Sequence, residues 1–125
     1  MKHTEDDIQR QLMAWMRRTY PSHADWMHHS PNGGQRSAAT GARLKAAGTR
    51  RGFPDLCWYI RRGEFSGLAI ELKAPGGRVT NEQTMWLSHL ASQGWVTGLC
   101  FSLKAAQDTI DAYFSMEVPD GETLG

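Results

Sequence analysis

The stretch Leu68-Ala69-Ile70-Glu71-Leu72-Lys73 constrains this chain more than any other part of it. Its apolar residues mark a strand set into a core, yet it also carries an acid and, two residues on, a lysine. Side chains alternate faces along a strand, so Glu71 and Lys73 share one face and point the same way. A carboxylate in such a setting needs a partner, either a cationic side chain or a metal, because an unpaired buried charge is costly. About one strand earlier stands Pro54-Asp55, at the start of a second candidate strand, Asp55–Arg61. The link Arg62-Gly63-Glu64-Phe65-Ser66-Gly67 between the two strands reads as the connection of a β-hairpin. In a twisted hairpin the Asp55 carboxylate comes beside Glu71, and two such neighbours raise each other's pKa unless a cation lies between them.

The remaining elements follow from periodicity. Ile8, Leu12, Trp15, Met16 and Tyr20 recur at helical spacing, with Thr4 as N-cap, acids in the first turn, and Pro21-Ser22 as the end. The segment from His28 to Gly52 is rich in Gly, Ser, Asn and Arg; Asn32-Gly33-Gly34 is a turn signal, and a short helix through Ala38–Ala47 is weakened by Gly41. A helix begins at Thr80, carries Trp86, Leu87, Leu90 and Ala91 on its apolar side, and stops at Gly94. Trp95–Phe101 is a third strand, and a last helix from near Leu103 exposes an Ala106, Ile110, Phe114 stripe. This order predicts an α/β fold, a small mixed β-sheet flanked by helices. With 125 residues, 40% of them hydrophobic, the chain suits one domain over 1–125, ending in a frayed tail from about residue 117.

Composition excludes some classes. Mean hydropathy is −0.52, and no stretch approaches the roughly 20 apolar residues of a membrane span. The N-terminus has no apolar segment of the kind that directs secretion, so a soluble, cytoplasmic protein is expected. Cys57 and Cys100 sit in apolar, strand-like surroundings and read as buried, reduced thiols. His28-His29 has no further His or Cys at ligand spacing, which argues against zinc. Trp15, Trp86 and Trp95 suit core or interface positions better than base stacking. The net charge of +1 conceals an asymmetry: from His28 to Arg78 there are nine Lys/Arg against three acids, and after Lys104 there are only acids. One basic face turned toward a polyanion is the functional reading, and ordinary surface charge the bland one.

An acid pair, a lysine and a basic loop together describe metal-assisted phosphodiester hydrolysis. Mg²⁺ suits the acids, because it prefers oxygen ligands and keeps several waters. Lys73 is placed to orient or deprotonate an attacking water, or to neutralise phosphate charge. For Glu-X-Lys alone, a solvated strand face is the commoner explanation. Its conjunction with Pro-Asp and with an apolar strand shifts the balance.

Pro54-Asp55 with Glu71-Leu72-Lys73 resembles the PD-(D/E)XK nuclease signature, the mark of a restriction-endonuclease-like core. More of the chain is similar to one branch, the VRR-NUC domain, in its stand-alone, phage-like type. The similar pieces are Glu5-Asp6-Asp7-Ile8-Gln9, Pro31-Asn32-Gly33-Gly34 with Arg36, Gly52-Phe53-Pro54-Asp55, Ile70-Glu71-Leu72-Lys73, and Asn81-Glu82-Gln83 before Trp86. The resemblance implies a Mg²⁺- or Mn²⁺-dependent DNA endonuclease. In it Asp55 and Glu71, the Leu72 carbonyl and Glu5 would hold the metal. Lys73 would position the water, and Gln83 would support the site from the following helix. It also implies a homodimer acting on branched DNA such as Holliday junctions, with flap, nicked or linear DNA, or binding without chemistry, as alternatives. Asn32, Arg36, Arg43, Lys45, Arg50 and Arg51 are the expected DNA contacts. Two of these roles have competitors within the sequence. Thr80-X-X-Gln83 is also an ordinary capping box, and Glu5 shares its helix start with Asp6 and Asp7.

Overall fold

The structure, a computed structural model, describes residues 4–30 and 37–119. In chain order the elements are α1 (Glu5–Thr19), α2 (Pro21–Ala24), β1 (Met27–His29), α3 (Ala38–Ala46) and β2 (Leu56–Trp58). They continue with β3 (Gly67–Leu72), α4 (Asn81–Ser92), β4 (Trp95–Cys100) and α5 (Leu103–Phe114). The strands form one sheet in the order β1-β2-β3-β4. β1, β2 and β3 pair antiparallel, and β4 lies parallel to β3 after the α4 crossover, so the sheet is mixed and flanked by helices, as expected.

Alternation along the strands divides the sheet into two unlike faces. Leu56, Trp58, Leu68, Ile70 and Leu72 join Ile8, Leu12 and Met16 of α1 and Ala106, Ile110 and Tyr113 of α5 in one buried core. Each Leu, Ile and Met among these is worth roughly 1.5–3 kcal/mol of burial, against about 1 kcal/mol for a helix cap, so packing sets where α1 lies. The cap sets where α1 begins. Thr4 accepts the Asp7 N–H while the Asp7 carboxylate accepts the Thr4 N–H, and the helix therefore starts at Glu5. On the opposite face Glu71 points to α4, through a hydrogen bond from Gln83.

Several local features depart from the sequence reading. α1 ends at Thr19, and Pro21, rather than closing it, opens the short α2 at a first-turn position where its missing N–H costs nothing. β1 has no alternating pattern to announce it; it is an edge strand held by β2. The strand expected over Asp55–Arg61 is shortened to Leu56–Trp58. Beyond it the Tyr59 N–H donates to the Trp26 carbonyl, and the Ile60 carbonyl accepts the Tyr113 hydroxyl at 2.5 Å. On α5 the third buried position is Tyr113, whereas Phe114 packs beside Tyr20 and His23. Cys57 and Cys100 are buried and free, as expected.

Two glycines fit where no side chain would. A Cβ on Gly67 would lie 2.4 Å from the Trp95 ring, which covers it. Gly52 has φ +82°, and a Cβ there would lie 2.5 Å from the Glu82 carbonyl carbon and 2.6 Å from the Gln83 nitrogen. This contact seats the 52–55 loop directly against the first turn of α4. Gly52→Ala is expected to cost at least about 2 kcal/mol, through a strained φ and a backbone overlap. Gly41→Ala, in α3 with nothing within 4 Å, is the control and should keep or raise stability. Urea unfolding of both variants measures the difference.

Candidate active site

Strand register brings the two acids together. Leu56 pairs with Ile70, and continuing that antiparallel register by one residue sets Asp55 opposite Glu71. Directly opposed residues have Cα atoms roughly 4.5–5.5 Å apart. Asp55 is held at both ends: its Oδ2 accepts the Leu72 N–H at 2.8 Å, and its carbonyl accepts the Ser30 N–H at 2.9 Å. His29 Nδ1 lies 3.1 Å from that same carbonyl.

Glu71 is only 2% exposed. Its Oε2 accepts from Gln83 Nε2 at 3.0 Å and lies 3.6 Å from Lys73 Nζ. Its Oε1 is buried with no hydrogen-bond partner among the described residues. Burial first, and then the charge of Asp55, push the Glu71 carboxyl up to about 8; Lys73 opposes the shift without cancelling it. Lys73 is itself buried at 7% exposure.

From the third side comes α1. One carboxylate oxygen each from Glu5, Asp55 and Glu71 lie within 4.8 Å of one another. Asp6 pairs instead with Arg10, and Asp7 is engaged in the cap, so of the three acids at the helix start Glu5 is the one brought to the cluster. Gln83 serves two purposes at once. Its Oε1 accepts the Thr80 N–H at 2.9 Å, completing the capping box, while its Nε2 donates to Glu71. The two readings of Gln83 are therefore not exclusive, because an amide has both an acceptor and a donor end. Leu72 contributes its N–H, to Asp55.

Of the expected DNA contacts, Asn32 and Arg36 lie outside the described residues. Arg43, Lys45, Arg50 and Arg51 are exposed. Lys45, Arg50 and Arg51 border a groove of about 1250 Å³ between α3 and the start of α4, which Gln83 also lines. Phe53 packs edge-on to Trp86, with ring centroids 4.9 Å apart, and so joins the Asp55 loop to α4.

The donor set fits a hard divalent cation. Among the described residues three carboxylates converge, the cluster contains no thiolate or imidazole, and one buried oxygen has no hydrogen-bond donor. Oxygen-only sets of this kind suit Mg²⁺ or Mn²⁺ and not zinc.

Comparison with known proteins identifies the domain. The VRR-NUC domain family matches residues 2–102. This chain belongs to that family. A solved structure described as a VRR_NUC domain protein is similar over 100% of both chains, with TM-score 0.82 and 27% identity. No curated protein matches the sequence significantly. VRR-NUC membership makes the chain a nuclease-domain protein, with the acid–lysine cluster at the point where β2, β3, α1 and α4 meet. No helix among the described residues is long and apolar enough to cross a membrane.

The sequence reading missed the supports behind Asp55. His29 and Ser30 lie on and just after an edge strand without a pattern. The packing role of Gly52 was signalled only by a glycine ahead of Phe-Pro-Asp.

The Glu71 shift has a measurable consequence. Folded Glu71 holds its proton up to about pH 8, whereas its ordinary value is 4.5. Its contribution to stability is therefore full below pH 4.5 and is lost as pH rises through 8. In metal-free protein the melting temperature should fall across this window, and Glu71→Gln should flatten that fall. Thermal melts in EDTA at a series of pH values check this.

Proposed function

We propose that this VRR-NUC protein is a divalent-metal-dependent DNA endonuclease. Asp55, Glu71, Glu5 and the Leu72 carbonyl act as oxygen ligands for Mg²⁺ or Mn²⁺, and Lys73 acts beside the attacking water. The observation that carries this reading is the buried Glu71 carboxylate. One of its oxygens is engaged by Gln83 and Lys73; the other has no hydrogen-bond donor among the described residues and faces the Asp55 carboxylate, with which it can share only a proton or a cation. A buried acid in that state is costly unless a cation completes it.

When bound, the ion supplies Lewis-acid stabilisation of the phosphate and a template for the reacting water. The protein groups do the rest. Gln83 fixes one Glu71 oxygen and so aims the other into the cluster. The Leu72 N–H fixes one Asp55 oxygen in the same way. Lys73 Nζ holds the water in line with the phosphorus by a hydrogen bond and offsets the charge that grows on the phosphoryl oxygens. A water oxygen–phosphorus bond forms and the bond from phosphorus to the 3′ oxygen breaks. Solvent returns the proton lost by water to that oxygen, leaving a 5′-phosphate and a 3′-hydroxyl.

Arg43, Lys45, Arg50 and Arg51, with Asn32 and Arg36 from the preceding segment, supply phosphate contacts in this reading. Such contacts give affinity without sequence preference, and they weaken with salt. The family resemblance supports a homodimer acting on branched DNA. Two active sites on a two-fold axis suit a junction of near two-fold symmetry.

Cleavage of a matched panel tests this reading: four-way junction, flap, linear duplex and single strand, each with Mg²⁺ or Mn²⁺. Wild type should cut, EDTA should stop it, and Lys73→Ala and Asp55→Asn should each lose about 100-fold or more. Cutting by Lys73→Ala at the wild-type rate, or cutting in EDTA, would overturn the assignment. If wild type cuts flaps or linear DNA and leaves the junction intact, the site stands and the junction reading falls. Calorimetric Mg²⁺ titration should show a site in wild type that disappears in Glu71→Gln.

A further inference from the structure

Asp55 stands immediately ahead of β2, where a loop meets the sheet, and its side chain is only as fixed as its backbone. Toward β3 it is the carboxylate that is held, by the Leu72 N–H. Toward β1 it is the carbonyl, and β1 is an edge strand of three residues, Met27–His29. The Ser30 N–H donates to that carbonyl at 2.9 Å, at the end of the ladder, where strands fray. A second bond reaches the same oxygen. His29 Nδ1 lies 3.1 Å from it, and because a carbonyl oxygen only accepts, Nδ1 must carry the proton. The two donors use both lone pairs of this oxygen. His29 is exposed, and an exposed hydrogen bond to a neutral group adds little to folding. Stability is therefore a poor reason for the ring to be there.

We propose that His29 is a positioning residue: its Nδ1–H, together with the Ser30 N–H, fixes the Asp55 backbone so that the Asp55 carboxylate stays in place to bind the divalent cation. The proposal rests on the nuclease reading and adds a residue to its machinery. The observation that carries it is the convergence of two donors, from adjacent residues, on the carbonyl of an acid assigned to the metal. Rotation of that peptide would lengthen both bonds. The same rotation would swing the carboxylate away from its neighbours Glu5 and Glu71. Groups that stand behind a metal ligand in this way typically change metal affinity or activity by about 10- to 100-fold when removed. The role falls on Nδ1 alone, and Nε2, on the far side of the ring, takes no part. His28 provides the contrast. It is also exposed, but it pairs with Cys57 and so projects from the opposite face of the sheet to His29.

Calorimetric titration of the metal-free protein with Mn²⁺ tests this on the binding step, apart from cleavage. His29→Ala should raise the Mn²⁺ Kd about tenfold or more. His29→Asn puts an amide N–H where Nδ1 stood and should stay within about threefold of wild type. His29→Gln carries its amide at the Nε2 position and should behave like the alanine variant. His28→Ala should bind as wild type does. Thermal melts in EDTA should be alike for all four variants. A long-range proton–nitrogen NMR spectrum of the metal-free wild type should show the neutral His29 ring protonated at Nδ1. Wild-type affinity in His29→Ala, rescue by Gln as good as by Asn, or an equal loss in His28→Ala would overturn the proposal. So would a neutral ring protonated at Nε2, or a melting temperature that falls in step with affinity, which would mark His29 as merely structural. Each of these results leaves the cation site itself standing. If wild type shows no Mn²⁺ site that Glu71→Gln removes, the nuclease reading fails and the role of His29 fails with it.

Discussion

A carboxylate buried at the heart of a sheet is the constraint on which the rest of this structure depends. Glu71 lies in β3 with every other residue of the strand buried, and among the described residues only one of its two oxygens has a hydrogen-bond donor. Lys73 at 3.6 Å is too far for a good hydrogen bond and does not cancel the cost of burial. Asp55 makes the position worse in the absence of a cation. An apolar residue would pack better there, so the acid is not explained by what it contributes to the fold.

The surrounding architecture can be understood as the means of holding this arrangement. Antiparallel register sets Asp55 across from Glu71, and the parallel β4 lets α4 cross over the face on which Glu71 points. The α4 cap and the Glu71 support are one side chain, Gln83, so the helix start and the acid cluster are positioned together. Gly52 permits the loop ahead of Asp55 to touch the same turn. The α1 cap places Glu5 at the first helical position, where its carboxylate reaches the other two. Three elements distant in sequence thus converge through local rules of capping, register and close approach.

Much of this was legible in the sequence, and the parts that were not share a physical reason. Strand β3 and helices α1 and α5 declare themselves by apolar periodicity because they bury a face, and α4 and β4 do so with faces that are half-buried. The pairing of Asp55 with Glu71 was legible because a hairpin converts sequence separation into register. β1 and α2 were not, since an edge strand and a single helical turn bury too little to leave a pattern. The dual use of Gln83 could not be read, because a capping motif describes only the backbone end of the side chain. Trp86 seemed suited to a core or an interface; it is half-buried on the wall of the groove. Periodicity shows that such a residue faces inward on its helix and does not show whether another element arrives to cover it.

A groove with a basic border adjoins the acid cluster through Gln83, and a bound cation would offset the cluster's negative charge. The direct test is anomalous diffraction from crystals soaked in Mn²⁺. A peak among the Glu5, Asp55 and Glu71 carboxylates, lost in Glu71→Gln crystals of the same form, is the expected result. A cluster that stays empty at saturating Mn²⁺, with Glu71 protonated and bonded to Asp55, would contradict the claim that a cation completes this site.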